Sequence, residues 1–148
     1  MDKVQQVIVM RIKYPAGEGK TKKLRTGKLI AQGSHASVAF LTDKIRNTWD
    51  KQGYRVAWTD GSQMGRVDLS EEEVIWIEDK FTKICVYVET EEELLAIYEE
   101  AKEAGLTSHL IQDCGDTEFN GVPTITAVGI GPHYKSKLDP ITGHLPLF

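Results

Sequence analysis

The sequence is poor in cysteine, and this scarcity excludes two kinds of small protein. Cys85 and Cys114 are the two cysteines among 148 residues, and they form neither a CxxC pair nor a zinc-finger spacing. The sequence therefore supports neither a disulfide scaffold nor a structural zinc site. Isolated cysteines are typical of a reducing compartment, so we expect a cytoplasmic protein.

Long apolar runs are also missing. No stretch approaches the roughly 18 residues that a bilayer span needs. Residues 1–6 are not followed by the long apolar segment of a signal peptide, so we expect no secretory leader. Hydrophobic residues make up 41% and charged residues 27% of the chain, which is normal for a folded protein. We predict a single domain over residues 1–148.

The motifs of several large enzyme classes are absent as well. The sequence has no G-x-S-x-G elbow, Walker loop, dinucleotide-binding glycine fingerprint or H-E-x-x-H motif. Nothing marks Cys114 as an activated nucleophile. Ser34 beside His35 is not a triad, because neighbouring helix residues diverge by about 100°. Any chemistry must come from another arrangement of side chains.

Positive charge is concentrated in one segment of a chain whose net charge is −4. Residues 11–28 carry seven basic residues against one acidic residue, a local charge of +6, so the remainder carries −10. The basic residues are Arg11, Lys13, Lys20, Lys22, Lys23, Arg25 and Lys28. This segment is either a local phosphate-binding patch or an ordinary solvated loop.

Strand patterns alternate with helical patterns along the chain. The predicted strands cover residues 4–12, 83–88, 109–111 and 125–130. The predicted helices cover residues 28–47, a segment opened by a capping box at Ser70–Glu73, and another opened by a capping box at Thr90–Glu93. We predict an α/β fold, a single layered domain with a mixed, mostly parallel sheet of about four strands flanked by helices on both faces.

A polar stripe begins the first predicted helix. Lys28, Gln32 and His35 are spaced i, i+4 and i+7, so they project from one face. The lysine and nearby helix amides could hold a phosphate or stabilise an oxyanion. Histidine titrates near neutral pH, which makes His35 a candidate proton carrier. The alternative is two surface residues and a hydrogen-bonded helix histidine.

A second polar group follows a predicted strand directly. In the loop that begins at Asp113, Gly115 permits a tight turn and Thr117 lies on the same side as Asp113. Such loops in layered α/β folds often carry functional sites. Asp113 could orient a lysine or accept a proton from water. The alternative is an Asx-turn in which Asp113 caps its own backbone.

Together, these segments resemble the type 2 peptidyl-tRNA hydrolases. The family's G-K-x-x-A-Q-x-x-H-A pattern is matched from Gly27 to Ala36, and its I-x-D-A-G-x-T pattern from Ile111 to Thr117. Its T-x-x-x-I-G-P pattern is matched from Thr126 to Pro132, followed by the Ile141–Leu147 tail. The resemblance covers most of the chain outside residues 49–72.

The resemblance implies a compact α/β domain, usually a homodimer, that hydrolyses the ester joining a peptide to the tRNA 3′ ribose. It implies no metal and no organic cofactor. By position, the residues linked to activity are Lys28, His35, Asp113, Thr117 and Thr126. We expect Gln32 and Gly115 to help bind substrate, and we expect the phosphates to be held by Lys20, Lys22, Lys23 and Arg25.

Four features depart from the family pattern, and the smallest is Cys114 in place of the usual alanine. Asp116 stands where the family usually has a basic residue, which is unfavourable beside a phosphate. The loop before the last strand is one residue longer, so Thr124 is an alternative to Thr126. Residues 49–72 are predicted to be an insertion. Two alternative functions follow: a weak or inactive module that binds tRNA or protein, and a small esterase with another substrate.

Overall fold

A computed structural model describes residues 1–52 and 67–148. The predicted insertion at 49–72 therefore falls mostly on residues 53–66, which lie outside the described residues. The strands are β1 (Val4–Arg11), β2 (Tyr14–Pro15), β3 (Thr21–Lys22), β4 (Lys83–Val88), β5 (Ser108–Asp113) and β6 (Thr124–Tyr134). The helices are α1 (Thr26–Gln52), α2 (Glu71–Glu78), α3 (Glu91–Glu103) and α4 (Lys135–Thr142).

The main sheet is mixed, as predicted. Its strand order is β4-β1-β6-β5. β1 pairs in parallel with β4, whereas β6 is antiparallel to both β1 and β5. Three of the four strands therefore run in one direction. β6 is reversed because the short loop 114–123 returns the chain directly beside β5, and a direct return of this kind gives an antiparallel pair.

Helices cover both faces of this sheet, which confirms the predicted layered α/β fold. Val7 and Val9 of β1 belong to a core cluster shared with α3 and α4. Ile8 and Met10, which point to the opposite face, pack with Ala36 of α1. β1 is buried along its whole length because it lies inside the sheet and is covered on both faces. In the described ranges, no helix is both long and apolar enough to span a membrane.

Helix α1 lies unusually close to the sheet. A Cβ atom placed on Gly129 of β6 would lie 2.1 Å from the carbonyl oxygen of Ala36. Only a glycine on the strand and a small residue on the helix permit this approach. The close packing is predicted by the run of small residues in α1, namely Gly33, Ser34, Ala36, Ser37 and Ala39. One turn before Ala36, the approach places Gln32 beside β6.

The inner face of α1 is formed by the buried Ala36 and Phe40 and the partly buried Leu29, whereas Ile30 and Val38 on its other side are exposed. Both capping positions form, but only Ser70–Glu73 closes as a complete box. At the start of α3, the Thr90 side chain accepts from the Glu93 N–H. The Glu93 carboxylate accepts instead from the Glu89 N–H at 3.4 Å, so the prediction of a second full box is wrong.

The sequence does not predict two elements. The segment at 14–27, which reads as a loop, contains the short β2–β3 hairpin, closed by a 2.8 Å bond from the Ala16 N–H to the Lys20 carbonyl. The C-terminal segment contains α4, whose helical pattern is obscured by Pro140 inside it.

Candidate active site

The polar residues singled out above meet where β5 ends. β5 ends at Asp113, and the first turns of α1 cross the same edge of the sheet. Next to β5, Thr126 is an extra residue in β6: Ala127 pairs with Ile111 and Ile125 pairs with Gln112. Such a β-bulge redirects a side chain. The Thr126 hydroxyl consequently points toward α1.

One continuous hydrogen-bonded network joins these side chains. The Lys28 Nζ lies 2.8 Å from the Asp113 Oδ1 and 2.8 Å from the Thr117 Oγ1. The Gln32 Nε2 donates to the same Asp113 oxygen at 3.1 Å. The Thr126 Oγ1 donates to the Gln32 Oε1 at 2.6 Å. The network therefore links α1, the end of β5, the following loop and β6.

Asp113 also caps its own loop. Its Oδ2 accepts from the Gly115 N–H at 2.9 Å. Gly115 has a φ of +90°, and a Cβ there would lie 2.4 Å from the Val122 carbonyl oxygen. Glycine is required here on both grounds. The Asx-turn and the lysine contact, which are alternatives in the sequence, are thus both present.

The surroundings of Asp113 keep its carboxyl group ionised. Burial raises the pKa of Asp113, but the hydrogen bonds from Lys28, Gly115 and Gln32 together outweigh burial and lower the pKa below its usual value. A carboxylate of low pKa is a weak base at neutral pH. It is better suited to holding an ammonium group and orienting water than to removing a proton outright.

Lys28 retains one donor for a ligand. An ammonium group has three N–H bonds, and two of them are directed at Asp113 and Thr117. Within the described ranges the third has no protein partner. Because the Lys28 side chain is only 12% exposed, this N–H is held in a largely desolvated position, where a hydrogen bond to an anion is stronger than in water.

Two other predicted positions lie outside the network. His35 is exposed on α1, and its ring makes no side-chain hydrogen bond in the described part of the chain. The Thr124 hydroxyl donates to the Val122 carbonyl of its own loop at 2.9 Å. Of the two alternative threonines, the structure therefore brings Thr126, and not Thr124, to Gln32.

The four basic residues that were predicted to hold phosphates divide into two pairs. The Lys22 Nζ donates to the Glu118 carbonyl at 2.8 Å, and the Arg25 guanidinium pairs with the Glu118 carboxylate. Lys20 and Lys23 are exposed and make no side-chain hydrogen bond or ion pair in the described ranges. Half of the basic group thus holds the loop that carries Thr117.

Sequence reasoning missed Glu118 and its neighbour Phe119. Phe119 packs with Tyr14 and Leu24, and its ring centroid lies 5.2 Å from that of Tyr14. Glu118 and Phe119 together fix the 114–123 loop to the β2–β3 hairpin. An acidic residue directly after Thr117, facing an excess of basic residues, is the signal that could have indicated this contact.

The described residues contain no group of three or more histidine, cysteine, aspartate or glutamate side chains placed to hold a metal ion. Cys85 and Cys114 are both free thiols. The site consists instead of one partly buried ion pair, two hydroxyls and an amide.

These features define a class of protein: small α/β domains with a lysine–aspartate site at the edge of the sheet. Residues 4–148 match the family described as peptidyl-tRNA hydrolase PTH2. The chain therefore belongs to the peptidyl-tRNA hydrolase PTH2 family, which confirms the resemblance.

Archaeal peptidyl-tRNA hydrolases are among its relatives. The protein of Methanocaldococcus jannaschii is 36% identical over 141 residues, covering 95% of this chain and 97% of the relative. That of Methanothermobacter thermautotrophicus is 32% identical over 148 residues, covering 97% and 99%. That of Methanopyrus kandleri is 37% identical over 126 residues, covering 84% and 88%.

Proposed function

We propose that this chain hydrolyses the ester bond between a peptide, or an N-blocked amino acid, and tRNA, and so recycles peptidyl-tRNA. The observation that carries the proposal is the network in which Lys28 and Asp113 pair beside the hydroxyls of Thr117 and Thr126. Membership of the peptidyl-tRNA hydrolase family supports the same substrate.

In the proposed reaction, Lys28 acts on the ester carbonyl. Its third N–H donates to the carbonyl oxygen and stabilises the negative charge that develops there as water attacks the carbon. Asp113 holds the ammonium group in place and orients the attacking water. As the bond to the ribose oxygen breaks, water supplies hydroxyl to the acyl group and a proton to the ribose oxygen. His35 is the proposed carrier of that proton.

We assign Gln32 a positioning role. Gln32 is only 2% exposed. Its side-chain amide is hydrogen-bonded at both ends, with the Nε2 donating to Asp113 and the Oε1 accepting from Thr126. An amide held at both ends fixes the orientation of its neighbours. This geometry favours indirect support of substrate binding over direct contact with tRNA.

The tRNA phosphates are proposed to lie along the hairpin and the start of α1. Lys20 and Lys23 are available to them, and the Arg25 side chain is exposed despite its contact with Glu118. Binding of this kind weakens steeply as salt rises. Asp116, exposed in the nearby loop, opposes phosphate at one point of this surface.

We also propose that the protein acts in the cytoplasm as a homodimer. A role in translation and two free thiols support the location. The exposed apolar side chains of Ile30 and Val38 on α1 offer surface for a second copy. Light scattering of the purified protein tests the dimer, and a mass equal to one chain would contradict it.

Release of the blocked amino acid from N-acetyl-aminoacyl-tRNA tests the proposed reaction. We expect the wild type to release it and Asp113→Ala to be nearly inactive although folded. Asp116→Ala is the matched control, because it also removes an acidic side chain from the same loop but an exposed one, and it should stay active. An Asp113→Ala variant as fast as the wild type would refute the site. A folded wild type that binds tRNA without releasing product would indicate the binding module instead.

A further inference from the structure

An open cleft of about 450 Å³ lies at the start of α1 on the β4 side of the sheet, whereas the Lys28–Asp113 pair lies on the β5 side. Its lining includes the apolar side chain of Leu29 and the rings of Tyr87 and Phe148. Lys23 and Thr26 supply polar groups at the start of α1. Apart from Lys23, which is proposed above to hold a tRNA phosphate, these residues have no part in the proposed reaction.

We propose that this cleft binds a nucleobase of the unpaired 3′ end of the RNA substrate. The inference rests on the proposed function, because it assigns a place to part of that substrate. Proteins recognise single-stranded RNA ends largely by stacking unpaired bases on aromatic side chains beside basic groups that hold the phosphates. The cleft supplies both kinds of contact.

The aromatic contact comes from Phe148. Its ring centroid lies 5.8 Å from that of Tyr87, with the ring planes at 84°, so Tyr87 supports it edge-on. The Phe148 N–H donates to the Cys85 carbonyl at 3.0 Å, which holds the backbone along the edge of β4. The residue is nevertheless 55% exposed. A ring that is fixed in place and open to solvent can stack with a base at little entropic cost.

The charge of the cleft suits a phosphodiester chain better than a peptide. Lys23 has no side-chain partner in the described ranges, and none of the side chains lining the cleft is acidic. The charge of Lys23 offsets that of the Phe148 α-carboxylate. The first turn of α1, which contributes Thr26, also contains no acidic residue. The unpaired N–H groups and the positive dipole end of the helix therefore add to the attraction for phosphate.

The position of the cleft relative to the active site fits an RNA end that leads away from the ester. Tyr87 and Asp113 both lie near the carboxyl ends of their strands, β4 and β5, which point the same way. These strands are three intervals apart in the sheet. At about 4.8 Å an interval, the lateral separation is roughly 14 Å. One edge of the molecule therefore presents both the reacting group and the cleft.

Binding of a short RNA tests the inference without requiring turnover. A 5′-labelled ACCA oligoribonucleotide and its abasic versions would be titrated against the full chain by fluorescence anisotropy. The variants would be Phe148→Ala and, as a matched control, Phe81→Ala. Phe81 is also an exposed aromatic residue, but it lies before the amino end of β4, whereas the cleft lies near the carboxyl end of that strand. Circular dichroism would verify that both variants fold.

We expect Phe148→Ala to weaken binding of the intact oligonucleotide at least fivefold, because loss of one base–aromatic stack has effects of this size or larger. One abasic version should bind the wild type and Phe148→Ala equally, and Phe81→Ala should bind like the wild type. Equal affinity of the wild type and Phe148→Ala for intact RNA would overturn the inference.

A second result would also overturn it: unchanged RNA affinity combined with a raised KM for N-acetyl-phenylalanyl-tRNA but not for N-acetyl-glycyl-tRNA. That pattern would assign the cleft to the peptide. Failure of the inference is distinguishable from failure of the proposed function, since an active hydrolase can lack the base contact and an inactive protein can still bind the base.

Discussion

Replacement of Lys28 by methionine tests whether the ion pair holds the site together. The Lys28 and Asp113 side chains are 12% and 9% exposed, so the pair is largely desolvated. Removing one partner of a buried pair costs about 3–5 kcal/mol, because the other charge remains buried. Asp113 keeps its bonds from Gly115 and Gln32. Because both residues are only partly buried, we expect a smaller loss than for a fully buried pair, about 2 kcal/mol.

Urea unfolding at pH 7 of Lys28→Met, Asp113→Asn and the double variant measures this coupling. The double variant should lose less stability than the two single losses together, because it leaves no buried unpaired charge. The pKa of Asp113 is lowered in the fold. The stabilisation is therefore present above the ordinary carboxyl pKa and disappears as the pH falls through the folded value. Additive losses, or a coupling that persists below the folded pKa, would refute the reasoning.

Two further substitutions test the packing and the choice of threonine. Gly129→Ala should destabilise the fold by about 3 kcal/mol in thermal or urea unfolding, because its Cβ would meet the backbone of α1 at 2.1 Å. Gly33→Ala is the control, and it should be neutral or stabilising because there is room for a methyl group at that position. Thr126→Val should cost about 1–3 kcal/mol and reduce hydrolysis, because it leaves the buried Gln32 oxygen without its donor. Thr124→Val should match the wild type in both assays, and the reverse order of the two threonines would contradict the assignment.

Much of the fold follows from local sequence patterns. The apolar run in β1 predicts an interior strand, since only burial on both faces suits such a run. The Ser70–Glu73 box forms because both of its hydrogen bonds are made within one helical turn. The small residues of α1 predict its close approach to the sheet. These features depend on residues near one another in the chain, which a sequence displays directly.

Other features depend on contacts between distant segments. The position of Thr126 depends on a bulge, which is a property of the pairing between β5 and β6 and not of either strand alone. The contact between Arg25 and Glu118 joins residues 93 positions apart. The regular i, i+4, i+7 stripe groups His35 with Lys28, yet only the fold reveals that His35 lies outside the network. The spacing of residues predicts which face of a helix a side chain lies on, but it does not predict which distant residues that side chain contacts.

The most direct test of the central claim is the single-turnover rate of Asp113→Asn with N-acetyl-aminoacyl-tRNA, compared with the wild type. The substitution keeps the shape of the side chain but removes the charge that holds the Lys28 ammonium group. We predict a rate at least about 100-fold lower, the size expected when the group that positions an oxyanion donor is lost, in a protein that still folds and binds tRNA. A folded variant whose rate lies within a few-fold of the wild type would contradict the account.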